Sequence, residues 1–297
     1  MPSSPGIVAH LIIGNKSEPY LEAALASIDS VSDHLVVNDN SGDALSIHAS
    51  TLATSGFARR GAITIVRSTF TDFASARNIC LDATPHKFRD GWALFFDADE
   101  IHGDELRACA ALLAHLPGEV DAVEGYSRHF IGSFGWWHTI ARRLCYFRLS
   151  PDRRWTGAVH ERLVPRSKSV VVADLWHHYG HVTPPRREWE KGRLYHSLGQ
   201  TGFVATDDQM RAASPADVWG HLAPEVIPFR GAHPPSALET IHRLSKLWAD
   251  AFADVDRLFS RRPGVGRFRS WVRQMNYSRL LAMRRFEARL RSQRGLW

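Results

Sequence analysis

A chain of 297 residues, 44% hydrophobic and 23% charged, has the makeup of a soluble globular protein, which excludes a disordered, collagen-like or membrane-embedded chain. No positive charge precedes the first short apolar run and no apolar stretch reaches transmembrane length, so neither a signal peptide nor a membrane span is expected, and a cytoplasmic protein is. The net charge of +6 is uneven: twelve arginines stand against one acid, Glu287, between Arg257 and Arg294, which leaves the body upstream net acidic. Cys80, Cys109 and Cys145 are odd in number, far apart and without a C-x-x-C pair, a pattern of reduced thiols and not of a disulfide frame or a zinc motif.

In chain order, Ile7 to Ile13 predicts a buried strand, and Ser17 and Pro19 predict the capped start of a helix that carries Leu21, Leu25 and Ile28 on one face. His34 to Asn38 is a second strand that stops at the turn-forming run Asp39-Asn40-Ser41-Gly42-Asp43. A helix over Ala44 to Ala53, a strand over Ala62 to Val66, a helix over Asp72 to Ala83 and a strand over Trp92 to Phe96 follow. Strands alternating with helices at this spacing predict an α/β fold with a mainly parallel sheet flanked by helices. Such sheets bind ligands beyond the carboxyl ends of their strands, where the Asp39 loop and the stretch Asp97-Ala98-Asp99-Glu100 both fall.

The segment ALFFDADE delivers three carboxylates from the end of a strand buried on both faces. Acids so close repel one another unless a cation sits among them, and a hard divalent ion, Mn²⁺ or Mg²⁺, would leave coordination sites for phosphate oxygens. The dipole of a helix starting near Asp104 accounts for the same acids without a metal, so composition alone leaves both readings open. Trp176-His177-His178-Tyr179-Gly180-His181 is the densest histidine cluster; histidines three apart suit a metal, though the nearby carboxylates favour a harder ion than zinc. Phe134-Gly135-Trp136-Trp137-His138 reads as an aromatic, glycine-containing loop that could stack on a ligand or act as a lid, with core packing as the competing reading.

Residues 7 to about 200 resemble the family 2 glycosyltransferases, in the subgroup with A-R-N, D-x-D-E and H-E motifs. The matching pieces are Asn15-Lys16-Ser17-Glu18, VVNDNSGD (Val36 to Asp43), DFASARN (Asp72 to Asn78), FFDADE, GAVHERL (Gly157 to Leu163), HHYGH (His177 to His181), and Lys191 with Arg193. The resemblance implies a GT-A catalytic domain over residues 1–200, a helical, Arg-rich extension over 201–297, and metal-dependent, inverting transfer of a sugar from a UDP- or GDP-linked donor to an acceptor hydroxyl. It implies donor binding by Asn15, Asp39, Arg77, Asp97, Lys191 and Arg193, metal ligation by Asp99 and His178, and Glu161 as the base that takes the acceptor's proton. Trp136, Trp137 and His160 are the acceptor-site candidates, and Asn78 is expected to fix its loop. The chain departs from the family where Asn-Glu is usual after the first strand and where D-x-G-S-x-D is usual for the Asp39 loop, so the base of the nucleotide is not implied.

Beyond Gln200 the resemblance fades. Ser236 to Phe259 predicts one helix, and Phe268, Val272, Met275, Ala282, Phe286 and Leu290 predict a basic amphipathic one. That segment could lie on an anionic membrane face beside a lipid-linked or cell-envelope glycan, track nucleic-acid phosphate, or pack on its own domain. Alternatives to the transferase are a nucleotidyltransferase of similar sheet, which normally needs more glycine than Gly14-Asn15-Lys16 offers, and a nucleic-acid-binding protein or a transferase acting on modified DNA.

Overall fold

A computed structural model describes residues 6–42, 46–166, 168–202, 204–261, 268, 271–280 and 282–283. The first four strands, β1 (Ile7–Ile13), β2 (His34–Asp39), β3 (Ile63–Arg67) and β4 (Trp92–Phe95), lie in the order β3-β2-β1-β4 and pair in parallel, as the alternating sequence predicts. Helices α1 (Leu21–Ile28), α2 (Ala49–Ala53), α3 (Gly56–Arg59) and α4 (Phe73–Asp82) make the crossovers. Ser17 does not cap α1: the helix starts at Leu21 after Tyr20, with no side-chain cap. Asp72 does cap α4, accepting from the Ser75 amide at 2.8 Å, and the helix turns Ala74, Arg77 and Leu81 inward. Of the helix expected over 44–53, residues 44 and 45 lie outside the described residues.

The second half continues with β5 (Glu100–Ile101), α5 (Glu105–Leu112), β6 (Ala122–Ile131), β7 (Ser133–Arg148), β8 (Arg154–Thr156), β9 (Arg162–Val164), β10 (Ser169–His181) and α6 (Pro185–Ser197). Strand β7 joins β4 antiparallel and extends the sheet through β6 and β10 to β5, with only the β6–β10 pair parallel in this half. Phe95 and Glu100 can be at most about 18 Å apart along the chain, whereas the strands between them would span about 19 Å in a flat sheet. The sheet therefore curls, and the segment carrying Asp97, Asp99 and Glu100 crosses its open end.

The expected aromatic loop at Phe134 to His138 is instead part of β7. The turn belongs to Gly132, whose φ of +69° ends β6, while the aromatic residues after it suit a paired strand. The remaining elements are α7 (Asp207–Arg211), α8 (Pro215–Trp219), β11 (Ile227–Pro228), α9 (Leu238–Leu247) and α10 (Ala249–Ser260). The single helix expected over 236–259 is thus two, broken at Trp248 (φ −116°, ψ 26°). They pack on the same body: β11 pairs with β7, and Leu244 and Phe252 join the core that holds Leu11, Leu94 and Trp176. Residues 271–280 are helical, with Tyr277 and Leu280 against that core and Phe268, Trp271, Met275 and Met283 exposed; Phe286 and Leu290 of the expected stripe lie outside the described residues. Among the described residues no helix is long and apolar enough to cross a membrane.

Candidate active site

The three acids after β4 have three different fates. Glu100 is 1% exposed and pins the turn, accepting from the Trp176 indole at 3.0 Å and from the Asp97 amide at 3.1 Å. Asp97 pairs with Arg77 through one oxygen and lies 3.4 Å from Arg143 Nη2 through the other. Burial opposes ionisation of Asp97, yet these two guanidinium groups hold it below the usual carboxylate range. Asp99 has no guanidinium; its Oδ1 stands 3.4 Å from His178 Nε2 and has no hydrogen-bond partner. Against its burial, His178, Lys191 and His181 hold the Asp99 carboxyl far down.

His178 is one of three. In β10 it lies directly across from His129 of β6, and a register irregularity separates it from His181. Side chains three apart on a regular strand point to opposite faces; the irregularity returns His181 to the side of His178. Ligand atoms of His129, His178 and His181 all fall within 4.8 Å of one another. Burial, then His178 and His181, push His129 down to about 2, so its imidazole is the neutral form that ligates metals. Asp99 Oδ1, His129 Nε2, His178 Nδ1 and Glu188 Oε2 are buried without hydrogen-bond partners. Buried polar atoms are otherwise satisfied, so these are atoms that a divalent cation beside the three histidines would engage. His178 is thus brought beside two further histidines by cross-strand pairing and a register irregularity, which no local motif reveals.

Helix α6 supplies the far wall. Glu188, Lys191 and Tyr195 recur at helical spacing; Glu188 Oε1 contacts His181 Nδ1 at 2.7 Å, and Asp99 and Glu188 help raise the Lys191 ammonium's affinity for its proton against burial. Arg193 lies on another face, where it pairs with Asp207 at 2.6 Å, so the structure does not bring it to the acids. Glu18, in the loop after β1, is pushed up to about 7 by burial and then by Asp99. Asn15 is exposed on that loop. Asp39, buried at the end of β2, accepts from the Ser41 amide at 3.0 Å and hydroxyl at 2.6 Å; these bonds outweigh burial and lower it.

Arg77 is 3% exposed, stacked 4.1 Å from the Phe95 ring centroid and flanked by Asp97 and Glu161, the latter at 2.6 Å. Glu161 arrives from the β8–β9 hairpin, whose turn uses left-handed Gly157 (φ 97°) and His160 (φ 56°). For His160 that conformation is uncommon, and its ring is exposed while Glu161 is turned inward. Asn78 holds the hairpin, bonding the Trp155 carbonyl at 3.0 Å and amide at 2.8 Å, as expected of it.

The tryptophan pair is not a free stacking platform. Trp136 donates to Asp256 at 2.8 Å and packs on Phe259 of α10, and Trp137 is 4% exposed against Tyr277, edging a small cavity of about 220 Å³. A larger cavity of about 740 Å³ opens beside the histidines, lined among others by His129, His181, Glu188, Trp189 and Trp219. Arg143, His129, Glu188 and this cavity are what motif reading missed.

No protein-family model matches this chain, and no curated protein matches it. Among solved structures it is similar to the mannosyltransferase PcManGT from Pyrobaculum calidifontis in complex with GDP-Man and Mn²⁺, at 14% identity over 88% of this chain and 89% of that one, with a TM-score of 0.41. S. aureus TarS 1-349 is similar at 12% identity over 86% and 89%, with a TM-score of 0.36. The galactosyltransferase LgtC in complex with donor and acceptor sugar analogues is similar over 41% of this chain and 46% of that one, at 17% identity and a TM-score of 0.29. Likeness this distant says nothing of what this chain binds.

Proposed function

We propose that the chain is a divalent-metal-dependent glycosyltransferase that uses a nucleotide-diphosphate sugar. The observation that carries this reading is the convergence of Asp99, His129, His178 and His181, with orphaned donor atoms, beside Lys191 at the carboxyl end of β4. The motif resemblance supports the same assignment. Asp99 and the three histidines would hold the ion, and their mixed nitrogen and oxygen set suits Mn²⁺ better than Mg²⁺, which keeps to oxygen. Bound there, the metal would neutralise charge that grows on the departing diphosphate.

The chain's own groups do the rest. Lys191 places an ammonium beside the same acids, where it favours the diphosphate more as it leaves than when intact. Arg77 holds Asp97 and Glu161 on either side of one guanidinium, which fixes both carboxylates before substrate arrives. In an inverting transfer the acceptor oxygen bonds the anomeric carbon as the bond to the diphosphate breaks, and Glu161 takes the acceptor's proton. Asp39 and the Asn15 loop stand where the nucleoside would lie. The 740 Å³ cavity beside the histidines, rather than Trp136 and Trp137, is the place for the acceptor. Exposed Phe268, Trp271, Met275 and Met283 within the arginine-rich segment support seating at an anionic membrane face and a lipid-linked acceptor.

Calorimetric titration with UDP, GDP and their sugar conjugates, with and without Mn²⁺, tests the reading. One nucleotide should bind only with metal in the wild type and lose that dependence in His178→Ala and Asp99→Ala. Equal binding with and without Mn²⁺ would remove the metal from the proposal.

A further inference from the structure

Further along β10 from the proposed active site, a second group of metal-binding side chains is closed inside the core. His102 follows β5, Cys145 lies in β7 and Asp174 in β10; they are 3%, 0% and 1% exposed, and ligand atoms of all three lie within 4.8 Å of one another. Asp174 sits on the inward row of β10, between Val172 and Trp176, where strand alternation calls for apolar residues.

Cys145 Sγ donates one long hydrogen bond to Asp174 Oδ2, and the group is otherwise unsatisfied. Asp174 Oδ2 is 3.5 Å from His102 Nδ1 and 3.9 Å from Cys145 Sγ, while Asp174 Oδ1 and both His102 nitrogens have no hydrogen-bond partner. A carboxylate left like this in the core is costly unless a cation compensates it. The spacings suit such an ion. With zinc bonds of about 2.0–2.1 Å to nitrogen and oxygen and about 2.3 Å to sulfur, the edges of a tetrahedron measure about 3.4 Å from N to O and about 3.6 Å from S to O. The observed separations are within a few tenths of an ångström of those edges. Cys109 of α5 is buried nearby but outside this group, its thiol pushed up by burial and then by Asp174.

We propose that His102, Cys145 and Asp174 bind a structural zinc ion. The mixed nitrogen, sulfur and oxygen set is one zinc accepts and Mg²⁺ does not. Binding releases the Cys145 thiol proton, and the resulting thiolate and carboxylate share the charge of the ion. Because β5 and β10 also carry Glu100 and His178, the ion would brace the strand pair behind the active site.

Cobalt separates this site from the active-site cluster, which contains no thiolate. Protein produced in zinc-depleted, cobalt-supplemented medium should show an intense thiolate-to-cobalt charge-transfer absorption in the near ultraviolet. That band should persist in His178→Ala and vanish in Cys145→Ser, and zinc-grown protein should retain about one further equivalent of zinc in His178→Ala. Absence of the band from the wild type overturns the proposal whatever the variants do, and so does a band unchanged in Cys145→Ser. If Cys145→Ser does not fold, Asp174→Asn, nearly identical in volume, takes its place: it should lower zinc retention at least tenfold, and full retention would refute the site.

Discussion

Gly180 is the most economical place to break the proposed metal site without touching a ligand. A Cβ built at this position falls 2.7 Å from His178 Nε2 and closer still to Asp99 Oδ2, well inside van der Waals contact. The backbone there is not left-handed, so Gly180→Ala brings no conformational strain, and the lost freedom of the unfolded chain stabilises by about 0.4–1 kcal/mol. Relief of the contact requires Asp99 and His178 to move apart by several tenths of an ångström or more, beyond the roughly 0.5 Å within which a preorganised constellation works. A displacement near 1 Å costs about 100-fold in rate. Gly180→Ala should therefore lose metal-dependent nucleotide binding and about two orders of magnitude of transfer activity, while its melting temperature in metal-free buffer changes by only a few degrees. The assays are calorimetry with Mn²⁺ and nucleotide, product formation from the donor so identified, and thermal denaturation with chelator. Wild-type metal affinity and activity in Gly180→Ala would refute the placement of the ion between Asp99 and His178.

Arg77→Met keeps the contact with Phe95 but leaves Asp97 and Glu161 facing each other; removing one member of a buried ion pair costs about 3–5 kcal/mol, read as a drop in urea midpoint, and adding Asp97→Asn should restore part of it. His10 and His233 are pushed down to about 3 and about 4, each by burial first and then by a neighbouring arginine. The unfolded chain binds these protons below about pH 6.5 and the folded chain refuses them until about pH 3 to 4, so stability drops as pH is lowered through that window by up to about 1.4 kcal/mol per unit per histidine. Urea titrations at pH 7 and pH 5 should show it, with a shallower slope in His10→Phe; an unchanged slope would exclude His10. Gly192→Ala, whose added methyl meets nothing within 4 Å inside α6, should stabilise by up to about 1 kcal/mol and raise the KM for acceptor, because Gly192 lines the larger cavity. Sedimentation with anionic vesicles should fall about 100-fold in Phe268→Ser/Trp271→Ser, at about 1.5 kcal/mol for each buried ring; equal sedimentation of both proteins would remove the membrane from the reading.

Much of the parallel half was legible because its strands are short apolar runs ended by turn residues, and hydrophobic runs with their punctuation are local signals. Asp72 and Asn78 could be read in the same way, as a cap and a loop anchor on one helix. The Gly132 turn was not, because Gly135 offered an equally plausible break two aromatic residues before a strand that runs on for eleven more. Arg193 was misplaced for a related reason: it stands two positions after Lys191 in sequence, but on a helix that is more than half a turn, and Asp207 was there to receive it. His129 and Cys145 carried no signal at all, since what matters about each is the residue across the sheet, and register is decided by the whole core.

The location of the site follows from the same division. Strands β1 to β4 deliver Asp39 and Asp97 at their carboxyl ends, the pattern of any parallel sheet, but among the described residues this half alone holds no cluster of metal-binding side chains. The histidines come from β6 and β10, which reach the acids only because β7 reverses direction and the sheet curls until β5 pairs with β10. Glu100 joins the two halves physically, bonded to Trp176 of β10 and to the Asp97 amide on the way out of β4. Glu100 thus ties the segment that carries Asp99 to the strand that carries His178. Glu100→Gln keeps the bond from Trp176, can lose the one to the Asp97 amide, and removes the charge that faces Arg143 at 3.8 Å. It should weaken Mn²⁺ binding about tenfold although Glu100 touches no metal, whereas an affinity equal to wild type would mean that the curl alone, and not this carboxylate, holds the two halves of the site together.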